Sequence, residues 1–281
     1  MPAPRPKKPS APPSARGAMG SGHHARKRFG QHFLSDMGII DTMVRDIAPQ
    51  RGEAMVEIGP GLAALTEPLL ERVDHMHVVE LDRDLVARLQ KRFAPERLTI
   101  HSADALEFDF LSIDATGKTQ RKVVGNLPYN ISSPLLFHLA QFAPHIDVQV
   151  FMLQKEVIER MVAQPSDKAY GRLSVMLQYR YEMEHLFDVP PHAFIPAPKV
   201  TSAVVRMYPR KPEQLHARDE AHLSQLVAQA FSQRRKMLRN TLSDMTTQEQ
   251  LIACGIAPTA RAEELSVAQF VNLSNYLLAQ T

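Results

Sequence analysis

Five short apolar runs alternate with amphipathic segments between residues 36 and 210, and this alternation restricts the fold most strongly. Such runs with little polar alternation are typical of strands buried on both faces of a sheet. Strands that alternate with helices predict an α/β fold with a mainly parallel sheet. Segments 185–194 and 202–209 predict a closing strand pair. The five predicted strands are AMVEIG (54–59), MHVVELD (76–82), LTIHSAD (98–104), KVVGNL (122–127) and VQVFML (148–153).

Composition divides the chain into three parts. Residues 1–28 hold six prolines and seven Lys or Arg residues, and the first acidic residue is Asp36. Such a segment cannot bury a core, so we expect a disordered tail, either simply flexible or a basic arm that contacts phosphates. Beyond Pro209 the prolines thin out and helical patterns dominate. We therefore predict a catalytic domain over residues 29–209 and a smaller helical domain over 210–281.

The global composition limits the environment and the partners. A net charge of +3 and a pI of about 9.0 permit a polyanionic partner without requiring one. The single cysteine, Cys254, excludes an internal disulfide and fits a reducing compartment. No apolar run approaches the ~18 residues of a membrane span, and neither His23-His24 nor His75-x-His77 forms a convincing metal site. We expect a cytoplasmic monomer with no membrane contact and no metal.

A candidate nucleotide site follows the first three strands. Gly59 and Gly61 come directly after the first strand, and glycines there allow a tight turn and close approach of a ligand. Glu80 ends the second strand and could accept hydrogen bonds from a ribose, while Asp104 ends the third and could accept from an adenine amine. Because GPGLAA (59–64) also satisfies the G-x-G-x-x-G/A pattern, a nicotinamide dinucleotide site, and with it a nicotinamide dehydrogenase, stays an alternative on these residues alone.

The NLPYN segment after the fourth strand favours methyl transfer to an exocyclic amine. The adenine N6 lone pair is delocalised, so acceptors aimed at its N–H groups make the nitrogen more nucleophilic. The Asn126 side-chain oxygen and the Leu127 carbonyl are suited to this, and Pro128 restricts Leu127 to an extended conformation. Tyr129 offers an aromatic face to an extruded base. No strong general base is required, because the sulfonium donor leaves as a neutral group.

The ordered motifs GQHFL (30–34), EIGPG (57–61), ELD (80–82), DAL (104–106), NLPYNI (126–131) and FIPAPKVTSAVV (194–205) resemble those of the small-subunit (16S) ribosomal RNA adenine N6,N6-dimethyltransferases, known for kasugamycin sensitivity. The resemblance covers residue 26 to the C-terminus. It implies a Rossmann-like S-adenosylmethionine-dependent methyltransferase sheet with a C-terminal helical domain. It also implies that this enzyme dimethylates two adjacent adenosines near the 3′ end of 16S rRNA within the 30S subunit or its precursor.

The resemblance also implies roles for single residues. His32 and Leu34 would flank the cofactor, Gly59 and Gly61 would contact its methionine part, Glu80 its ribose and Asp104 its adenine. Asn126 would face both cofactor and target amine. Phe194 would cap the target base opposite Tyr129. Ala63 stands where many methyltransferases carry a third glycine. Two alternatives stay open: an erythromycin-resistance-type methyltransferase acting on 23S rRNA, and an assembly factor that acts mainly by binding.

The RRKMLR segment (234–239) holds half of the eight Lys and Arg residues after residue 209. If one helix runs through residues 223–242, its apolar side chains share a face, with Arg234 in the middle of it. We hypothesise that Arg234 ties this helix to the catalytic domain. Arg235, Lys236 and Arg239 would then contact rRNA phosphates, or simply form a solvated basic face.

Overall fold

The computed structural model describes residues 31–113 and 121–280, and its centre is a seven-stranded sheet. The strand order is β4-β3-β2-β5-β6-β9-β7, and β9 alone runs opposite to the other six strands. The predicted α/β fold with a mainly parallel sheet and a closing strand pair is therefore confirmed. The strands are β1 Phe33–Leu34, β2 Ala54–Ile58, β3 Met76–Glu80, β4 Leu98–Ser102, β5 Arg121–Asn126, β6 Val148–Gln154, β7 Tyr181–Val189, β8 Phe194–Ile195 and β9 Ser202–Pro209.

Helices cover both faces of this sheet. On one face, apolar side chains of β2, β3 and β6 pack against α1, α2 and α3. On the other face, apolar side chains of β2, β5 and β6 pack against α4, α5 and one side of α6. The helices are α1 Met37–Ile47, α2 Thr66–Leu70, α3 Arg83–Arg92, α4 Ser132–Ala140, α5 Lys155–Val162, α6 Arg172–Arg180, α7 Glu220–Ala230, α8 Leu238–Thr241, α9 Gln248–Ala253 and α10 Val267–Leu278.

The segment after β2 contains much less helix than its apolar spacing suggests. The sequence pattern LAALTEPLLERV predicts a helix from residue 62 to 73, but α2 covers only Thr66–Leu70. Ala63 has a φ of +69°, in the left-handed region, and its N–H bonds to the Pro60 carbonyl. The chain therefore makes a tight turn after β2 before the helix begins, which shapes the ligand end of the sheet.

The C-terminal helices share a core with part of the preceding domain. Buried side chains of α7 and α10 pack against Ala163, Tyr170, Val175 and Tyr179. Helix α6 therefore contributes one face to the sheet and the other to the helical part. Chain composition changes near residue 210, but the packing boundary runs through α6.

The condition of one helix through residues 223–242 is not met. Helix α7 ends at Ala230, a short 3-10 turn follows, and α8 begins only at Leu238. The polar run over residues 232–236 offers no apolar side chain that could hold a helix against the core. Arg234 is consequently exposed rather than buried in an apolar face. It pairs with Glu263 at 3.0 Å and donates to the Lys168 carbonyl, so it does join the C-terminal part to the loop before α6.

A second, two-stranded sheet lies beside the large one. Phe33 pairs with Ile195 and Leu34 with Phe194 in antiparallel register, which joins the GQHFL segment to the FIPAPKV segment. The predicted basic tail over residues 1–28 and Gly30 lie outside the described residues. Within the described residues, no helix is long and apolar enough to span a membrane.

Candidate active site

One cavity opens at the carboxyl ends of β2, β3, β4 and β5, where parallel α/β sheets bind their ligands. It brings together nine of the ten residues that sequence reasoning assigned to the cofactor and to the target base. These nine are His32, Leu34, Gly59, Gly61, Glu80, Asp104, Asn126, Leu127 and Tyr129. Phe194 is the tenth, and it is not among the lining residues.

The glycine turn forms one wall of the cavity by its shape. Gly59 and Gly61 have φ values of +67° and +56°, which favour glycine. A Cβ on Gly61 would lie 3.2 Å from the Phe33 ring. Both N–H groups already have protein acceptors, namely the Val79 carbonyl and the Glu80 carboxylate. These glycines therefore let a ligand approach closely without donating hydrogen bonds to it.

Glu80 is held in place at the end of β3 with its carboxylate facing the cavity. Its Oε1 accepts from the Asp82 N–H at 2.9 Å and its Oε2 from the Gly61 N–H at 3.2 Å. Burial raises the pKa of Glu80, and these backbone hydrogen bonds oppose that shift. A carboxylate oxygen has more than one lone pair, so both oxygens can still accept from ribose hydroxyls.

A second buried carboxyl, Glu57, was missed by sequence reasoning. It lies in β2, lines the cavity and is only 2% exposed. The Thr66 hydroxyl donates to its Oε2 at 2.6 Å. Burial raises the pKa of Glu57 to about 8, although the Thr66 hydrogen bond opposes the shift. The signal that could have revealed it is an acidic residue within an otherwise apolar strand.

Asp104 stands at the far end of the cavity, after β4. Its Oδ1 accepts from the Leu106 N–H at 2.9 Å, which fixes the side chain at the start of a turn. The Ala103 N–H bonds to the Glu80 carbonyl at 3.2 Å, so the two carboxylate-bearing segments are directly connected. A second carboxylate oxygen remains on Asp104 to accept from an amino group.

Asn126 ends β5, and its amide orientation is set by the N-terminal segment. Its Nδ2 donates to the His32 carbonyl at 3.0 Å. Because that contact takes up the amide nitrogen, the side-chain oxygen is the atom left to accept from a bound amine. Leu127 is 1% exposed and its side chain packs in the core, so its backbone carbonyl is the group that it can offer to the site.

Tyr129 stacks on an aromatic side chain of the N-terminal segment. The His32 ring lies over Tyr129 with 5.4 Å between centroids and 25° between planes. Phe194 is 2% exposed and packs in the core beneath the sheet, because β8 pairs with β1 and turns its side chain inward. Phe194 therefore does not line this cavity, and its role as a cap on the target base stays a prediction.

The predicted RNA contacts lie in the C-terminal part. Arg235, Lys236 and Arg239 are all exposed, around the start of α8. His23 and His24 lie outside the described residues, and His77 Nδ1 lies 3.1 Å from His101 Nε2. Within the described chain, no group of three or more His, Cys, Asp or Glu side chains is arranged to hold a metal ion.

Comparison with known proteins decides the family. The family model described as ribosomal RNA adenine dimethylase matches residues 22–279. The chain belongs to the ribosomal RNA adenine dimethylase family. A protein from Aromatoleum aromaticum named ribosomal RNA small subunit methyltransferase A is 59% identical over 261 residues, covering 93% of this chain and 97% of that one. One of the same name from Herminiimonas arsenicoxydans is 59% identical over 256 residues, covering 91% and 99%.

Solved structures of the same fold agree. A dimethyladenosine transferase from Plasmodium falciparum superimposes with a TM-score of 0.73 at 24% identity, over 86% of this chain and 96% of that one. The 23S rRNA methyltransferase ErmE gives a TM-score of 0.64 at 23% identity, over 87% and 99%. The Rossmann-like methyltransferase fold is thus confirmed.

Family membership settles the reaction class. This dimethylase is an enzyme, an S-adenosylmethionine-dependent methyltransferase, and the nicotinamide dehydrogenase alternative is removed. The cavity fits that cofactor, because it combines a glycine turn, a ribose-type acceptor at Glu80 and an amine-type acceptor at Asp104. The individual roles of these residues stay predictions.

Proposed function

We propose that this dimethylase methylates N6 of two adjacent adenosines near the 3′ end of 16S rRNA, twice each, with S-adenosylmethionine. The observation that carries the proposal is the convergence of Asn126, Leu127 and Tyr129 on the same cavity as Glu80 and Asp104. Relatives that are 59% identical over nearly their whole length bear a small-subunit methyltransferase name, which supports 16S rRNA as the substrate.

The cofactor would be held by residues from four strand ends. We assign Glu80 to its ribose, Asp104 to its adenine, the Gly59–Gly61 turn to its methionine part, and His32 with Leu34 to its flanks. When bound, the cofactor supplies a methyl group on a sulfonium, a leaving group that departs uncharged. The carboxylate of Glu80 is preorganised by two backbone hydrogen bonds, so it needs no rearrangement to accept the hydroxyls.

The transfer site works by orienting the target amine. The Asn126 side-chain oxygen and the Leu127 carbonyl would accept from the two N–H groups of adenine N6. Accepting both hydrogens directs the nitrogen lone pair away from them and raises its nucleophilicity. Tyr129 would stack on the extruded base, and such stacking is worth about 1–3 kcal/mol. After transfer, the cationic amine loses its proton readily, so no strong base is required.

A 23S rRNA substrate is the second candidate, because ErmE shares the fold over 87% of the chain. That likeness is at 23% identity, against 59% for the small-subunit relatives. Methyl incorporation by the purified enzyme should therefore occur with 30S subunits from cells that lack this protein. It should be at background with protein-free 23S RNA. Incorporation into 23S RNA alone would overturn the proposed substrate.

The cellular test is mass spectrometry of 16S rRNA from cells with and without this protein. N6,N6-dimethyladenosine should disappear from the 3′ fragment when the gene is deleted. The Asn126→Ala enzyme should not restore it, although it should still bind immature 30S subunits if assembly is a separate role. Dimethylation that persists in the deletion strain would contradict the proposal.

The proposed working form is a cytoplasmic monomer that binds 16S rRNA within the 30S subunit or its precursor. Arg235, Lys236 and Arg239 are the proposed phosphate contacts, because all three are exposed cations from one short segment. Arg234 has a different task in this scheme, since its guanidinium already pairs with Glu263.

A further inference from the structure

We infer that His32 and Ser202 are positioning residues that hold Tyr129 as a fixed plate for the target base. This inference rests on the proposed function. It gives His32 a task beyond flanking the cofactor and gives Ser202 its first role in the site.

Ser202 holds the tip of the Tyr129 ring. The Tyr129 hydroxyl and the Ser202 Oγ share a hydrogen bond of 2.6 Å, and Ser202 is fully buried. Its backbone is fixed at the start of β9, where it pairs with Gln154 on one side and Val189 on the other. Burial raises the pKa of Tyr129, so the phenol stays protonated at neutral pH and the hydrogen bond persists.

His32 holds the plane of the same ring. A tyrosine hydroxyl lies on the axis about which the ring rotates, so the Ser202 contact cannot by itself fix the ring plane. The stacked imidazole of His32 can, because rotation of Tyr129 would drive the ring edge into it. His32 is itself anchored, since its Nδ1–H donates to the Pro196 carbonyl at 2.7 Å.

These contacts leave one face of Tyr129 for the base. His32 covers the other face, and its carbonyl also orients Asn126 through the 3.0 Å hydrogen bond from Nδ2. His32 thus orients both the Tyr129 ring and the Asn126 side-chain oxygen. The position and plane of the Tyr129 ring are therefore fixed before the target adenine binds. Stacking of the adenine then costs the enzyme little additional side-chain entropy.

A double-mutant cycle tests the Ser202 half. With unmethylated 30S subunits and S-adenosylmethionine, Ser202→Ala and Tyr129→Phe should each lower kcat about tenfold, a change that corresponds to one lost hydrogen bond. The double variant should also lose about tenfold, because both changes remove the same contact. The Kd for S-adenosylmethionine should stay within about twofold in every variant, because the Tyr129–Ser202 hydrogen bond positions the ring for the target base and not for the cofactor. Thr201→Ala, the exposed neighbour, is the matched control and should keep wild-type kcat.

A pair of substitutions tests the His32 half. His32→Phe keeps a ring over Tyr129, whereas His32→Ala removes it, so the Phe variant should retain at least about fivefold more kcat than the Ala variant. Equal kcat in these two, or a Ser202/Tyr129 double variant that loses about a hundredfold, would overturn the inference. Wild-type enzyme that forms no dimethyladenosine on these subunits would instead refute the proposed function.

Discussion

At the residue scale, Glu57 makes the stability of this enzyme depend on pH in an unusual direction. Its folded-state pKa of about 8 lies above the ordinary value of 4.5, so the folded protein binds more protons in that range. The stabilisation that comes from protonated Glu57 is fully present below pH 4.5 and is lost as the pH rises through 8. Each pH unit in this window costs about 1.4 kcal/mol of unfolding free energy.

Glu57→Gln should remove this dependence, because a glutamine keeps an oxygen for the Thr66 hydroxyl and cannot ionise. Urea unfolding of the cofactor-free protein at pH 6, 7, 8 and 9 measures the effect. The variant should become the more stable protein as pH rises. The exposed Glu96→Gln serves as control and should keep the wild-type slope. Parallel slopes for Glu57→Gln and wild type would contradict the buried, protonated carboxyl.

Gly125 gives a second prediction at this scale, one of space rather than charge. A Cβ at Gly125 would lie 2.4 Å from the Ile58 carbonyl oxygen, on the backbone of the adjacent strand β2. Gly125→Ala should therefore force β5 and β2 apart and cost about 3 kcal/mol or more in a denaturant titration. A Cβ at Gly171 meets nothing within 4 Å, so Gly171→Ala should cost less than about 1 kcal/mol. A near-neutral Gly125→Ala would refute this account.

At the element scale, a buried ion pair joins α1, β2 and β5 at the end of the sheet remote from the cavity. Lys122 in β5 lies 2.9 Å from Glu53, and the two side chains are 10% and 5% exposed. The Lys122 ammonium also donates to the Ile47 and Ala48 carbonyls at the end of α1. A cation there satisfies helix-end carbonyls and is favoured by the helix dipole.

Lys122→Met should destabilise the protein by about 3–5 kcal/mol, because it leaves the Glu53 charge buried without its cation. The double variant Glu53→Gln/Lys122→Met should recover much of that loss. Arg51→Met is the control, since the Arg51–Asp74 pair has a similar 2.8 Å distance but exposures of 77% and 55%. It should cost less than about 1 kcal/mol. Equal losses for Lys122→Met and Arg51→Met would show that burial does not decide the strength of the pair.

The elements also show which parts of this structure could be predicted from sequence. The central strands were predictable because each is buried on both faces and reads as an apolar run with little polar alternation. The helical spacing over residues 223–242 was misleading, because apolar residues in two separate segments can share a core without sharing a helix. The left-handed Ala63 had the same effect on α2, since alanine gives no local sign of a turn.

The site followed the same logic. Seven of its residues were predictable because the carboxyl ends of parallel strands meet at one edge, whereas His32 and Leu34 were predicted only from the family resemblance. Phe194 and Ser202 were not predictable, because the direction of their side chains depends on pairing with β1 in one case and with β6 and β7 in the other. Such long-range register leaves no periodic trace in the sequence.

At the scale of the whole molecule, the catalytic and helical parts are joined in a way that fixes the basic segment relative to the cavity. Helix α6 belongs to both cores, and Arg234 bridges Glu263 and the Lys168 carbonyl. With one cation engaged in the junction, Arg235, Lys236 and Arg239 remain exposed for phosphates. RNA affinity should therefore depend on salt through these three residues.

The salt dependence of RNA binding tests this division of tasks. In a plot of log Kobs against log salt for 16S rRNA, the slope should become less negative by about 0.7–0.9 for each single variant, because each lost phosphate contact releases fewer counterions. The variants are Arg235→Ala, Lys236→Ala and Arg239→Ala. Arg218→Ala, an exposed cation in the same helical part, should leave the slope unchanged. If the three variants keep the wild-type slope, the segment is a solvated basic face. In that case the rRNA phosphates are bound by other cations of the enzyme, because each direct phosphate contact contributes to the slope of log Kobs against log salt.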